Sequence, residues 1–355
     1  MQHIYLTRAA IFRKDLESVL ETMLTDKFGP ARYRHTREFE KELCKFFQDK
    51  IDCVVVDSGT SALHLALLAY GIKPDDEIII PSYSESAILH ACSYVGAKPV
   101  IVDINHNNYG INLEATQKAI TQATKLIYIP HLFGVPVDIS IFQNISIPIL
   151  EDITQSLGAE FKEKRIGTEG LMSICSFTDE KMITTAQGGV ILSKNKELIS
   201  KCRKLTEYKN METYEVRYNY RLCDLLAALG LNQIKYLPRY IEKRRLIAEE
   251  YDNIFKKAGL NPFSLTVDRY NVFYKYILIL EGKLQKVINH LKKVHIESEP
   301  AIRIPLHRLL KLDPALYPNT EKAWYTSLSL PIYPTMKKNE IERVAKEVIR
   351  ALEEE

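Results

Sequence analysis

Asp57-Ser58-Gly59-Thr60-Ser61-Ala62-Leu63 follows the β-branched run Cys53–Val56 and opens a helical pattern, Ser61–Tyr70. A buried strand that turns at once into a helix is the opening unit of a doubly wound α/β domain, and open sheets bind ligands at the carboxyl ends of their strands. Glycine lets the backbone approach a ligand closely, and the free N–H groups and hydroxyls of Thr60 and Ser61 at a helix start form an anion cradle. Ser and Thr are equally the ordinary helix N-caps, so this segment alone does not decide between cradle and cap.

Working outward, the same alternation continues to Lys194. The runs Glu77–Pro81, Pro99–Ile104, Lys125–Ile129, Ile147–Glu151, Ser173–Phe177 and Gly189–Ser193 read as strands. Between them Ser86–Val95, Leu113–Thr121 and Lys196–Leu205 carry apolar residues at three- and four-residue spacing, which predicts helices. Such alternation builds a largely parallel sheet covered on both faces. A Tyr- and Lys-rich loop, Tyr208–Tyr220, precedes a long helical stretch from Leu222 to about Lys257 that passes Pro238. Beyond it lie a strand, Val272–Leu280, an amphipathic helix, Lys283–Val294, and a closing helix, Asn339–Glu354. The expected organisation is a large domain over residues 1–245, with an N-terminal arm, and a small α+β domain over residues 246–355.

A chain of 355 residues suits two cores, and its formal charge of +3 with interspersed acids and bases predicts neither a nucleic-acid stripe nor a disordered tail. Six scattered cysteines without a CxxC pair, several inside apolar runs, read as buried thiols of a reducing compartment, with neither a zinc site nor a disulfide framework. Residues 1–13 interrupt every apolar stretch with polar groups, so the expectation is a cytoplasmic protein without a signal peptide or membrane span, whose partners are small molecules.

Two further segments carry candidate chemistry. In Ile147-Pro148-Ile149-Leu150-Glu151-Asp152 an acid stands just past an apolar strand, where Asp152 would hold a pyridinium nitrogen protonated. Gln155 lies three residues on, on the same side, placed to donate to a ring hydroxyl; the plainer reading makes Asp152 a helix cap. In Ser176-Phe177-Thr178-Asp179-Glu180-Lys181, ahead of Thr184-Thr185 and Gly188-Gly189, a lysine in a cleft beside a phosphate and a pyridinium can lose its proton and become a nucleophile. Most lysines are solvated surface groups, so Lys181 in isolation proves nothing.

The order of the three segments is what informs. Ser-Gly-Thr, then Asp-x-x-Gln, then Ser-x-x-x-x-Lys before Thr-Thr and Gly-Gly closely resembles the DegT/DnrJ/EryC1/StrS family of nucleotide-sugar aminotransferases. The resemblance extends to Arg37-Glu38-Phe39-Glu40, His131-Leu132-Phe133-Gly134, Tyr218-Asn219-Tyr220-Arg221-Leu222 and Ser329-Leu330-Pro331-Ile332-Tyr333-Pro334. It implies the fold of PLP-dependent transferases of type I, aspartate aminotransferase-like, a large doubly wound mixed-sheet domain plus a small α+β C-terminal domain, with pyridoxal 5'-phosphate as cofactor. It further implies that Lys181 holds that cofactor as a Schiff base and relays protons, that Asp152 pairs with the pyridine nitrogen and that Gln155 contacts the ring hydroxyl. Thr60, the backbone at Ser61, and Ser176 would bind the phosphate, and Asn219 would reach the phosphate of a neighbouring subunit, making a homodimer with shared sites. The implied reaction carries an amino group from an amino acid, glutamate, to a keto-deoxy sugar nucleotide.

Three departures stand out. Where the family usually has an aromatic residue stacked on the cofactor, Pro81-Ser82-Tyr83-Ser84 is followed by Glu85, so Tyr83 or His131 compensates or the pocket is altered. Glu85 either stands beside the cofactor or turns away to cap the Ser86–Val95 helix. Gly-Glu-Gly-Gly becomes Ala186-Gln187-Gly188-Gly189, and a His-Tyr pair becomes Ala301-Ile302 ahead of Pro305-Leu306-His307. Alternatives to transamination are a sugar dehydratase, which in this family carries His in place of Lys181, a regulatory protein that keeps the cofactor without turnover, or another type-I enzyme acting on amino acids. The last would use an arginine clamp, for which Arg221 and Arg303 are candidates.

Overall fold

Seven strands form the central sheet of the computed structural model, which describes residues 2–24, 33–48, 51–105, 107–207, 214–263 and 268–353. In chain order its strands are β1 (Asp52–Val56), β2 (Glu77–Pro81), β3 (Lys98–Val102), β4 (Thr124–Pro130), β5 (Ile149–Asp152), β8 (Met172–Ser176) and β9 (Gly189–Ser193), while the short β6 (Glu160–Phe161) and β7 (Lys164–Arg165) pair with each other outside it. The sheet order is β1-β9-β8-β5-β4-β2-β3. Neighbours from β8 to β3 are parallel, whereas β9 runs antiparallel to both β1 and β8, so the sheet is mixed. The consequence is positional: β1, β2, β4, β5 and β8 all point their carboxyl ends at one edge.

The helices include α1 (Arg13–Leu24), α2 (Arg34–Phe46), α3 (Gly59–Tyr70), α4 (Ala87–Val95), α5 (Leu113–Ala119), α6 (Lys196–Leu205) and α7 (Asp224–Lys257). α3 begins where Ser58 Oγ accepts the Ser61 N–H at 3.0 Å and ends at Gly71 in the left-handed region, φ 95°. Its apolar residues are buried nearly all round because it lies between the sheet and α4 and α6, as expected of a helix without a solvent face. Two glycines in the sheet edge are required by space. A Cβ on Gly59 would stand 2.7 Å from Ser176 Cβ, and one on Gly189 would stand 2.4 Å from the Ser58 carbonyl oxygen. β1, β8 and β9 therefore close directly behind the start of α3.

The second core is built on β10 (Asn261–Pro262), β12 (Tyr276–Ile279), β13 (Glu299–Pro300) and β14 (Ser327–Leu330), an antiparallel sheet of order β10-β12-β14-β13, with β11 (Arg269–Tyr270) pairing β6 instead. α8 (Leu284–Lys293) and α11 (Lys338–Glu353) cover it, and α9 (Leu306–Leu309) and α10 (Pro318–Thr326) connect its strands. The expected strand Val272–Leu280 is shorter, Tyr276–Ile279, because Val272 N–H donates to Gly134 O and Asn271 Oδ1 accepts the Phe273 N–H, bonds that bend residues 271–275 out of the ladder. Helix α7 runs unbroken through Pro238 and serves both cores, Leu237 and Ile241 in one and Ile247, Tyr251 and Phe255 in the other. The N-terminal arm joins the second core, where Ile4 is buried in a parallel bridge with Ile296. Residues 208–213 of the Tyr- and Lys-rich loop and Glu354 of the closing helix lie outside the described residues.

Candidate active site

The carboxyl ends of β1, β2, β4, β5 and β8 open into a cleft of about 1110 Å³, walled on the far side by residues of the arm and of the second core. Thr60, Glu85, Asp152, Gln155, Ser176 and Lys181 all line it. Four separate strand ends thus bring together residues as much as 121 positions apart in the sequence, from 60 to 181. Ser61 and Asn219 are not among the lining residues. The Ser61 N–H and hydroxyl are both engaged by Ser58 Oγ, at 3.0 and 2.8 Å, so the donors left free at the start of α3 are the N–H groups of Gly59 and Thr60 among the described residues. Asn219 is exposed, outside this chain's own cleft.

Asp152 does not cap a helix. Its Oδ1 accepts the Thr154 N–H at 2.8 Å in an Asx turn, and its Oδ2 accepts the Tyr128 hydroxyl at 2.5 Å. Thr154 Oγ1 in turn accepts the Ser176 N–H at 3.0 Å, which ties the end of β5 to the end of β8. Burial, then the neighbouring Asp152 carboxylate, pushes the Tyr128 hydroxyl well above its ordinary range, so it stays a donor to Asp152. Tyr128 was not singled out in the sequence. A tyrosine inside the buried run Leu126–Ile129 must find a partner for its hydroxyl, and that requirement was the available signal.

Beneath the cleft floor a buried pair fixes His131. The Val137 N–H donates to His131 Nδ1 at 2.9 Å, so Nε2 carries the proton and donates to Glu151 Oε2 at 3.1 Å. Glu151 also accepts the N–H groups of Gly167, Glu169 and Gly170 at 2.7, 3.0 and 2.6 Å. Burial alone would raise this carboxyl, yet the His131 contact and the backbone donors hold it below the ordinary glutamate value. His131 borders the cleft, but its side chain is wholly buried and its ring is held in one orientation by these bonds. Tyr83 does not: it is fully buried against Tyr109 and Phe133, with ring centroids 5.5 and 5.9 Å away, so it cannot replace the missing stacking residue.

Glu85 leaves α4 uncapped, since Ser86 occupies the cap position, and stays at the cleft as an exposed carboxylate. Lys181 Nζ donates to the Tyr274 hydroxyl at 3.1 Å. Burial pulls the Lys181 pKa down, but Tyr274, Glu85 and Glu180 together hold it above the ordinary lysine value. These neighbours, two acids and a phenol, favour the charged form of the lysine against burial. Tyr274 was missed because it lies in the run read as strand. Of the two candidate clamps, Arg221 bonds Thr206 O away from the cleft, while Arg303 stands at the cleft mouth, bonded to Glu299.

Ser298 and Ser329 border the cleft, and each has a buried hydroxyl without a hydrogen bond among the described residues. No cluster of three metal-ligating side chains, and no helix long and apolar enough to cross a membrane, occurs among the described residues.

Comparison with known proteins agrees with this geometry. The GDP-perosamine synthase of Escherichia coli O157:H7 is 27% identical over 96% of each chain, and that of Vibrio cholerae is 28% identical over 88% of this chain and 90% of its own. Among solved structures, Helicobacter pylori PseC, an aminotransferase involved in the biosynthesis of pseudoaminic acid, superposes with a TM-score of 0.90 at 25% identity over 99% of this chain and 100% of its own. The DegT/DnrJ/EryC1/StrS aminotransferase family model matches residues 10–349, and the chain belongs to that family.

Proposed function

We propose that this pyridoxal 5'-phosphate-dependent sugar aminotransferase moves an amino group from glutamate to a keto-deoxy sugar linked to a nucleotide, in the cytoplasm. The observation that carries this reading is the convergence of Lys181, Asp152 and the Thr60–Ser176 cradle on one cleft. The two GDP-perosamine synthases support a nucleotide-linked sugar as acceptor.

The residues present fit the cofactor. Gly59 leaves the backbone open beside Ser176, and the Gly59 and Thr60 N–H groups are free donors at a helix start. When bound, the cofactor supplies an electron sink for the carbon that exchanges its amino group. Thr60 and Ser176 would hold its phosphate. Asp152, fixed by Tyr128 and Thr154, would keep the pyridine nitrogen protonated. Lys181 would bear the cofactor, then take a proton from the substrate carbon and return it. The Gln155 amide oxygen accepts the Phe133 N–H at 2.9 Å, which turns its amide nitrogen toward Glu85 at the cleft. An absorbance spectrum of the purified protein before and after glutamate tests cofactor and donor together; no change on glutamate would rule that donor out.

We further propose a homodimer in which Asn219 completes the partner's cradle. Asn219 is exposed away from its own cleft, and Leu16, Leu20, Met23 and Leu24 leave an apolar face of α1 in solvent. Mixing inactive Lys181→Ala and Asn219→Ala subunits should restore part of the activity through hybrid sites, whereas an active monomer in sedimentation contradicts the arrangement.

A further inference from the structure

We propose that Tyr274 is a further catalytic residue, holding the amino group of Lys181 in its charged form whenever that group is free, and that Arg244 is the positioning residue that fixes Tyr274. The inference rests on Lys181 being the cofactor-bearing lysine.

Three observations lead there. Tyr274 is buried in the cleft wall with its hydroxyl 3.1 Å from Lys181 Nζ, which also lies 5.4 Å from its ring centroid. Its backbone is locked: Val272 N–H donates to Gly134 O, Lys275 N–H to Phe133 O, and a Cβ on Gly134 would meet the Tyr274 nitrogen at 2.9 Å. The lock is completed from behind by Arg244, which is 1% exposed and whose Nη1 donates to the carbonyls of Phe273, Tyr274 and Ile332 at 3.2, 3.2 and 3.0 Å. Arg244 pairs with no carboxylate among the described residues, and its Nε has no partner. A buried cation spent on three carbonyls is costly to the fold unless the segment it holds must not move. That segment carries the one hydroxyl that touches Lys181 among the described residues.

A lysine that returns a proton to a substrate carbon must first hold it. A hydrogen bond to the charged form favours that form. The groups facing Lys181 are Tyr274 from the segment before β12, Glu85 from the β2–α4 turn, Glu180 from its own loop and the buried thiol of Cys175 from β8. Burial opposes the charge, and Tyr274 is the largest of the influences that restore it. In the step concerned, one proton leaves Lys181 Nζ for the substrate carbon, the lysine ends as a neutral amine, and Tyr274 keeps its own proton throughout. Its oxygen orients the donor, so the reacting groups start in line.

The test is Tyr274→Phe, which keeps the ring, with Arg244→Lys as a second variant that keeps the hydroxyl and loosens the segment. In cofactor-free protein, acetic anhydride labelling of Lys181 is followed by peptide mass across a pH series. The expected result is a labelling profile displaced to lower pH in Tyr274→Phe, and displaced the same way by less in Arg244→Lys. In loaded enzyme, kcat should fall on the order of a hundredfold, at the low end of acid–base contributions, with KM little changed. Profiles superimposable on the wild type in Tyr274→Phe overturn the assignment, and in Arg244→Lys they overturn the positioning role. A wild-type borohydride adduct of pyridoxal 5'-phosphate on a residue other than Lys181 would instead remove the reading on which the inference rests.

Discussion

Gln155 and Glu85 meet across the cleft, the amide Nε2 donating to Glu85 Oε1 at 3.4 Å while the amide oxygen is held by the Phe133 N–H. The bond is long, and the carboxylate is exposed, so Glu85 remains available to whatever fills the cleft.

Glu85→Phe should therefore alter chemistry more than folding. An ionised carboxylate favours the protonated form of a nearby nitrogen, so its removal should move the pH titration of the bound cofactor's absorbance to lower pH. Glu85 also contributes to the raised Lys181 pKa, which should decrease in the same variant. The ranking of sugar substrates should change as a ring replaces a charge. Unchanged titration together with unchanged ranking would reduce Glu85 to a solvated group.

Lys181→Ala should abolish any borohydride-fixed attachment of the cofactor and with it transamination, while pyridoxal 5'-phosphate still binds through Thr60, Ser176 and Asp152. Mass spectrometry after reduction and equilibrium dialysis separate the two effects. A reduced adduct that persists at full stoichiometry in the variant would move the attachment site elsewhere.

How far the sequence carries can be traced through particular residues. Lys181, Asp152 and Thr60 were legible because each follows a strongly apolar strand, and strand ends are where an open sheet presents its chemistry. The resemblance implied a mixed sheet, but that β9 is the strand that reverses was not legible, since β-branched runs report burial and not direction. Helices α1 and α2 were passed over because their partner is α7, more than 180 residues later: Asp224 accepts from Thr36 at 2.9 Å and pairs with His35, a relation no local pattern displays. Ser61 and Tyr83 were misread for one shared reason. Proximity to a motif does not fix direction, and Ser61 turns to Ser58 while Tyr83 turns into an aromatic cluster.

Glu151 predicts an acid-sensitive fold. Its folded pKa lies below the ordinary 4.5, so between those values the unfolded chain binds the proton more readily than the folded one. The stabilisation is thus fully present above the unfolded value and is lost as pH falls through the folded one. Glu151→Gln should flatten the thermal midpoint against pH below about 4.5, the ordinary glutamate range. At neutral pH it should cost about 1–3 kcal/mol, because the glutamine NH2 cannot accept where a carboxylate oxygen did and leaves a buried donor unsatisfied. Scanning calorimetry across the acid range measures both, and a wild-type slope retained in the variant would assign the sensitivity to other carboxyls.

Gly59→Ala tests whether the cradle depends on close backbone approach. The added Cβ would lie 2.7 Å from Ser176 Cβ, and neither atom is the free end of a flexible chain, so α3 and the end of β8 must separate. Overpacking of this kind costs about 1–3 kcal/mol. Because Ser176 is tied through its N–H to Thr154, and Thr154 lies two residues beyond Asp152 in the same turn, the separation reaches the acid as well as the cradle. Cofactor affinity should therefore fall more than the melting temperature alone would suggest, and inorganic phosphate should compete less well for the site. A variant that melts lower yet binds pyridoxal 5'-phosphate as tightly as the wild type would show that the glycine serves packing and that the cradle tolerates displacement.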